Sequence, residues 1–315
     1  MSSRTADHFD AVIIGGGPAG LSAALLLGRA CRRVVLIDAG EPRNAAAREL
    51  HGFLSRDGIP PRELLRLGRA EVERYGIVLI DDRVISAHCL CDRTAHAGGA
   101  GFSVQCASGR EFTGRKLLFA SGTCDTLPEL PGIKECYGAS VHHCPYCDGW
   151  EHRQQRLLAC GDTADHAAGL GLALKTWSNR VLVLTNGEPL PQDQHDHLRA
   201  NQISWREERV LRLVHDGDRL RAVELSIGEV IEADALFFNT PQTPRCDLAC
   251  QLGCQLDDAA RVQTSDKQRT NVPGIFFAGD ADGDVQFAIV AAAEGATAAV
   301  AINRELQDED ESAAR

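Results

Sequence analysis

Residues 142–150 read His142-His143-Cys144-Pro145-Tyr146-Cys147-Asp148-Gly149-Trp150. Two thiols separated by two residues, behind two imidazoles and ahead of a carboxylate, form a dense set of groups able to do chemistry. The pair can close a small disulfide ring and pass two electrons. It can also join His142, His143 and His152 as zinc ligands, or simply pack. A closed structural zinc site usually shows a second ligand pair at a defined distance, and none stands out, which favours a redox pair. Where the second cysteine begins a helix, the N-terminus of that helix favours its thiolate. His142 and His143 are candidate bases for tuning the thiols, with His143 preferred because it abuts Cys144. The alternative for both is a polar loop.

The other cysteines carry less information. Twelve cysteines are spread over 315 residues, of which 44% are apolar, too dilute for a disulfide scaffold and consistent with free thiols in a reducing compartment. Cys246, Cys250 and Cys254 recur every four residues, which predicts one buried helical face on which they act as small apolar side chains. Cys31, Cys89, Cys91, Cys106, Cys124, Cys136 and Cys160 have no partner at a diagnostic spacing and receive no role.

The pair must be positioned by the elements around it. An apolar run from Phe9 to Ile14 enters Gly15, Gly17 and Gly20 in G-x-G-x-x-G spacing. An Ala/Leu-rich helical stretch follows, then a second apolar run, Val34 to Ile37, ending at Asp38. Gly15 permits a tight turn, Gly17 allows backbone approach to a pyrophosphate, and Gly20 lets helix and sheet pack closely. The helix amides suit phosphates, and Asp38, about 20 residues on, suits a ribose hydroxyl. Strand, turn, helix, strand and acid together predict dinucleotide binding.

A second copy of the pattern spans Leu157–Cys160 as strand, 161–164 as turn, 167–175 as helix and Val181–Leu184 as strand. Its glycine code is degraded: Ala159 stands in the first glycine place, Gly161 in the second and Ala164 in the third. Thr185-Asn186-Gly187-Glu188 follows, with neither a ribose acid at the strand end nor an arginine cluster. A domain retained for its architecture competes here with nucleotide binding. Further on, residues 116–132 predict an apolar strand, a small-residue turn and a Pro-rich crossing. Residues 274–278 predict a strand, Gly279-Asp280 a turn, and residues 286–306 a long helix, with Asp280 placed to hold a ribityl or ribose hydroxyl.

Composition narrows the class. The chain is long enough for two domains with separate cores. Its 33 Lys and Arg against 44 Asp and Glu leave a net charge of -11, which argues against nucleic acid and anionic membranes as partners. No signal core and no run of roughly 18 apolar residues is present, so the expectation is a soluble, cytoplasmic protein.

In order and spacing, these motifs resemble the low-molecular-weight thioredoxin reductases and related flavin disulfide oxidoreductases. The carriers are GGGPAG with Asp38, LLFASGTCDTLP, CPYCDG, the degraded second turn, and TNVPGIFFAGD followed by Gln286-Phe287-Ala288. The resemblance implies an α/β fold of two Rossmann-like, three-layer dinucleotide-binding domains, the second inserted in the first. It puts an FAD domain at residues 1–121 and 243–315, and an inserted NAD(P)-binding-like domain carrying the redox dithiol at 122–242. FAD contacts are implied for Gly15, Gly17, Pro18, Ala19, Gly20, Asp38, Asn44, Gly122, Gly279, Asp280, Gln286, Phe287 and Ala288. The resemblance further implies that Cys147 meets the flavin, that Cys144 exchanges with substrate, that Asp148 moves the thiol proton, and that the protein is a homodimer.

Two features depart from that pattern. Typical members use NADPH through a full second glycine fingerprint and an arginine-rich segment, both absent here. Each lost charge-assisted bond is worth about 1.5 to 3 kcal/mol, which counts against NAD(P)H as donor. The segments EPRNAAARELHGFL and LTNG resemble an offshoot that includes dithiol oxidases, in which oxygen reoxidises the flavin and a small dithiol becomes a disulfide. That offshoot often carries a histidine where this chain has Asp148. The expected partners are a small dithiol or disulfide, or a thioredoxin-like protein, with oxygen as a possible acceptor. The expected function is therefore an FAD enzyme of thiol-disulfide exchange, either oxidase or NAD(P)H-dependent reductase, with a non-catalytic flavin redox sensor as the alternative.

Overall fold

A computed structural model describes residues 7–90, 101–239, 241–281 and 285–315. Its first sheet has strands in the order 78–81, 34–38, 7–14, 111–119, 101–106, 84–90. The strands Asp7–Ile14, Val34–Asp38 and Val78–Asp81 run parallel; the apolar runs 11–14 and 34–37 suit strands covered on both faces, whereas Val78–Asp81 is a partly exposed edge. Glu111–Phe119 lies beside Asp7–Ile14 and divides its other edge. Its early residues pair with Gly101–Cys106, and its last three pair with Ile275–Phe277, where the C-terminal part of the chain returns.

The second sheet is wholly parallel, in the order 204–206, 181–184, 157–160, 235–238, 141–142. A separate antiparallel sheet, 210–216, 219–225 and 230–232, packs with it through Leu213, Val223, Leu225 and Leu236. The chain passes between the two large sheets along a two-stranded antiparallel ribbon, Thr123–Asp125 against Gln242–Pro244. The fold is thus α/β with two Rossmann-like units, the second inserted in the first.

Helix Pro18–Arg29 crosses helix Ala288–Ala313 at close range, because a Cβ on Gly295 would stand 2.0 Å from the Ala19 carbonyl oxygen. The long helix starts two residues later than the sequence predicts, since the Gln286 side chain is already bonded to Arg43 and to the Asp280 carbonyl. It also continues past Leu306 into the terminal acidic run. There Lys116 pairs with Glu305 and Glu309, while Arg115 and Arg32 hold Asp310, which offsets repulsion among the acids. Helix Ala164–Leu174 starts three residues earlier than expected, at a Thr163 cap.

The cysteine series needs a similar correction. The helix covers only Asp247–Gln251, and Gly253, at φ +90°, turns the chain before Cys254. Cys246 and Cys254 nevertheless enter the same apolar core, with Cys250 packed against it. Among the described residues Cys31, Cys106, Cys124, Cys136, Cys160, Cys246, Cys250 and Cys254 are free thiols, and Cys91 lies outside them.

Candidate active site

The first glycine turn forms one wall of a cavity of about 510 Å³. Gly15 has φ +112°, and a Cβ there would meet the Ala120 carbonyl at 2.2 Å. A Cβ on Gly20 would lie 1.9 Å from the Gly15 carbonyl. These two glycines let the strand, turn and helix close on one another, and Gly20 lies beneath the turn rather than on the cavity wall. Gly17 differs: a Cβ added to it would meet nothing within 4 Å. Gly17 caps helix Pro18–Arg29 without any side-chain bond to the first amides, so those donors are left for a ligand. Helix Ala288–Ala313 also begins without a side-chain cap, and Phe287 and Ala288 line the same cavity.

Asp38 accepts a hydrogen bond from the Gly16 amide at 3.1 Å and faces the cavity with Pro18, Ala19, Asn44 and Gly122. Gly279, at φ +94°, donates its amide to buried Glu294 at 2.6 Å. Unclaimed helix amides, a carboxylate at the second strand end and a long shared cavity fit a dinucleotide such as FAD.

Asp280 is less free than the sequence suggests. Its Oδ2 accepts from Arg43 at 2.9 Å, and the same Arg43 Nη1 donates to Gln286 at 2.7 Å. The other face of the guanidinium grips Asp125 through two bonds of 2.7 and 2.6 Å. Such bidentate pairing is the strong, orienting form of a carboxylate–guanidinium contact. Arg43 therefore ties the inter-sheet ribbon to the Gly279-Asp280 turn, a role that no local motif around it announces.

Cys144 and Cys147 are joined in a disulfide. The first cysteine, not the second, stands at the helix start: Cys144 is the cap of Pro145–Asp148, and Pro145 takes the first helical position, where its missing N–H costs nothing. The Cys147 amide donates to the Cys144 sulfur at 3.1 Å. Cys147 and Asp148 line the cavity with His142 and His143, whereas Cys144 does not. Near the pair in the chain, Tyr146 and Trp150 are 78% and 65% exposed, with Tyr146 packed edge-on against Phe287 of the cavity wall.

The two histidines have different neighbours. His142 is buried, its Nδ1 is 3.2 Å from Asp148, and its Nε2 is 2.9 Å from Nε2 of His152. His143 turns to the Tyr137 hydroxyl at 3.0 Å and to Asp125 at 3.8 Å. Burial pushes His143 below the ordinary imidazole range against the upward pull of Asp125, and it raises Tyr137 to about 12. Proximity in sequence favoured His143, yet the carboxylate beside the thiols is contacted by His142. The Pro145–Asp148 turn swings Asp148 back to His142, a contact that residue order alone does not announce. Among the described residues no group of three or more His, Cys, Asp or Glu side chains is arranged to hold a metal ion.

The second turn is built differently from the first. Ala159 is fully buried in its strand, and a Cβ on Gly161 would meet the Ala167 amide at 2.4 Å. Glu188 reaches back from the loop after Leu184 and accepts the Ala164 amide at 2.8 Å, at the first position of helix Ala164–Leu174. The Thr185 hydroxyl bonds the Glu188 carbonyl and holds that loop. On the adjoining strand end, Arg206 is committed to Glu229 at 3.2 Å.

Residues 9–295 match the family described as pyridine nucleotide-disulphide oxidoreductase. A probable thioredoxin reductase of Arthroderma benhamiae is 31% identical over 337 residues, covering 98% of this chain and 82% of its own. Thioredoxin reductase aclD of Aspergillus oryzae is 31% identical over 309 residues, covering 95% and 96%. The crystal structure of HlmI matches with a TM-score of 0.92 and 36% identity, over 100% of this chain and 96% of that one.

Proposed function

Because the chain belongs to the pyridine nucleotide-disulphide oxidoreductase family and is an FAD-dependent disulfide oxidoreductase, we propose that it oxidises a small dithiol and passes the electrons to oxygen. The observation carrying this proposal is Glu188 on the second helix. A carboxylate bonded to the Ala164 amide stands where a pyrophosphate would need that donor, and Arg206 is already paired. NAD(P)H then has a poor site, while the FAD cavity and the disulfide are intact.

In the proposed reaction, one substrate thiolate attacks the Cys144 sulfur, the Cys144–Cys147 bond breaks, and Cys147 leaves as a thiolate. The second substrate thiolate attacks the substrate sulfur of this mixed disulfide and expels Cys144. The products are a substrate disulfide and a reduced Cys144/Cys147 pair, two electrons having moved from one to the other. Asp148 takes the proton of the incoming thiol and returns it to a leaving thiolate. Bound FAD would supply the two-electron acceptor for the reduced pair, with oxygen as the terminal acceptor and hydrogen peroxide, formed with two protons, as the product.

Gly15, Gly17, Pro18, Ala19, Asp38, Asn44, Gly122, Gly279, Asp280, Gln286, Phe287 and Ala288 are proposed to surround FAD, with Gly20 shaping the turn from beneath. His143 is assigned to hold Tyr137 and Asp125 beside the dithiol. The domain division is placed at the ribbon, as 1–121 with 243–315 and 122–242. A cytoplasmic homodimer completes the proposal. The dispersed cysteines outside the Cys144–Cys147 pair suit a reducing compartment, and light scattering of the purified protein checks the dimer. Among the described residues no helix is long and apolar enough to cross a membrane.

Similarity to thioredoxin reductases favours a second reading, in which NADPH supplies electrons and a thioredoxin-like protein receives them. Anaerobic stopped-flow mixing of the holoenzyme with NADPH, NADH and dithiothreitol separates the two. Fast bleaching of the flavin by dithiothreitol alone is expected. Rapid, saturable bleaching at micromolar NADPH overturns the oxidase proposal.

A further inference from the structure

Oxidation of a dithiol to a disulfide releases two protons, of which Asp148 returns one to a leaving thiolate; the other must leave the site, and the side chains behind Asp148 provide a path. Asp148 Oδ1 is 3.2 Å from His142 Nδ1, His142 Nε2 is 2.9 Å from His152 Nε2, and His152 Nδ1 is 2.9 Å from Gln155 Oε1. The row runs from the cavity wall, through a buried imidazole, to a half-buried one. The Phe237 ring packs against both histidines, with centroids at 5.4 and 6.2 Å, and holds their planes.

Hydrogen-bond parity gives this row two self-consistent states. Two Nε2 atoms in contact need one donor and one acceptor. If Gln155 presents its oxygen, His152 donates from Nδ1, its Nε2 accepts from His142, and His142 Nδ1 accepts from a protonated Asp148. If the Gln155 amide is turned over, its N–H donates to His152, His152 donates to His142, and His142 donates to an ionised Asp148. Every hydrogen bond survives in both states, and they differ by one proton. We propose that His142 and His152 are positioning residues that relay protons between Asp148 and solvent during thiol-disulfide exchange.

Each passage is balanced. One proton enters at Asp148, both imidazoles exchange tautomer, one proton leaves from His152 Nδ1, and the Gln155 amide turns. No electrons move along the row. His152 also feels Glu151 beside it, and the neighbouring His143 feels Asp125, Arg43, Asp148 and His142, so the relay has Glu151 at its outer end and the Asp125–Arg43 pair near its inner one. Burial keeps His152 below the usual imidazole range, which leaves it neutral and able to accept near neutral pH.

This inference rests on the assignment of Asp148 as the proton-transfer group, and the test separates the two. Anaerobic reduction of the FAD-loaded protein by dithiothreitol is followed as a function of pH, in water and in deuterium oxide, for His152→Ala, His152→Gln and Asp148→Asn. The expected result is a roughly tenfold slowing in both His152 variants, part of the ~10²–10⁴ that general acid–base catalysis contributes. The solvent isotope effect should rise, and added imidazole should restore His152→Ala saturably without changing its FAD content or melting temperature. Wild-type rates in His152→Ala alongside a slow Asp148→Asn overturn the relay alone. Slowing in His152→Ala that imidazole does not relieve also overturns it, because the role is then structural. Wild-type rates in Asp148→Asn overturn the assignment of the acid itself, and the relay with it.

Discussion

After Ile14 the chain turns into a helix whose first amides meet no side chain, whereas after Cys160 it turns into a helix whose first amide is already taken by Glu188. The two turns share strand, glycine and helix, and both need glycine for packing, as Gly20 and Gly161 show. They differ in what fills the space in front of the helix. On the proposed reading, the second turn keeps a Rossmann-like architecture without nucleotide binding: backbone closure preserves the fold, while an empty helix terminus is what a phosphate requires.

The largest expected effect divides chemistry from cofactor retention. Cys144→Ser or Cys147→Ser should lower dithiol turnover by roughly a thousandfold or more, on the scale of losing an enzymatic nucleophile, while FAD absorbance per protein stays at the wild-type level. Normal turnover in Cys144→Ser refutes the assignment of the pair.

Gly17→Leu tests the opposite half. Its backbone is at φ -73°, open to any residue, and the side chain enters empty space. The protein should fold but purify with little FAD. Full flavin occupancy would break the contrast between an open first turn and a filled second one.

Glu188→Ala sharpens the contrast from the other side. Freeing the Ala164 amide should raise NADH or NADPH affinity by about tenfold, or ~1.4 kcal/mol, read by quenching of protein fluorescence. Equal affinities in wild type and variant would mean that Glu188 is an ordinary helix cap.

The smallest effect is a pH dependence carried by two histidines of the inserted half. His143 and His152 both titrate below the ordinary imidazole value of about 6.5 in the folded protein, chiefly because burial penalises the charged ring. The unfolded chain therefore binds more protons between their folded values and 6.5. Stability should fall as pH drops through about 6.5, by up to roughly 1.4 kcal/mol per pH unit for each group, and level once the folded values are passed. Asp234, held at about 2 by hydrogen bonding to Arg156, adds a loss only at more acidic pH. Denaturant melts monitored at Trp177 and Trp205, both in the inserted half, check the sign.

The sequence by itself determined the elements whose cause is local. Apolar runs set the strands 34–38, 157–160 and 181–184, glycine spacing located both turns, and two thiols three positions apart marked the redox pair. Only the tertiary structure decided what the charged groups do. Arg43 meets Asp125 and Asp280 across 82 and 237 residues, and Glu188 reaches the Ala164 amide from the end of the next strand. His142 meets His152 because a short turn folds back over Phe237. Strand and turn propensities act over a few residues and leave a periodic trace, whereas a long polar side chain takes whichever partner the assembled sheets bring within about 3 Å. That choice leaves no periodicity in the sequence around it.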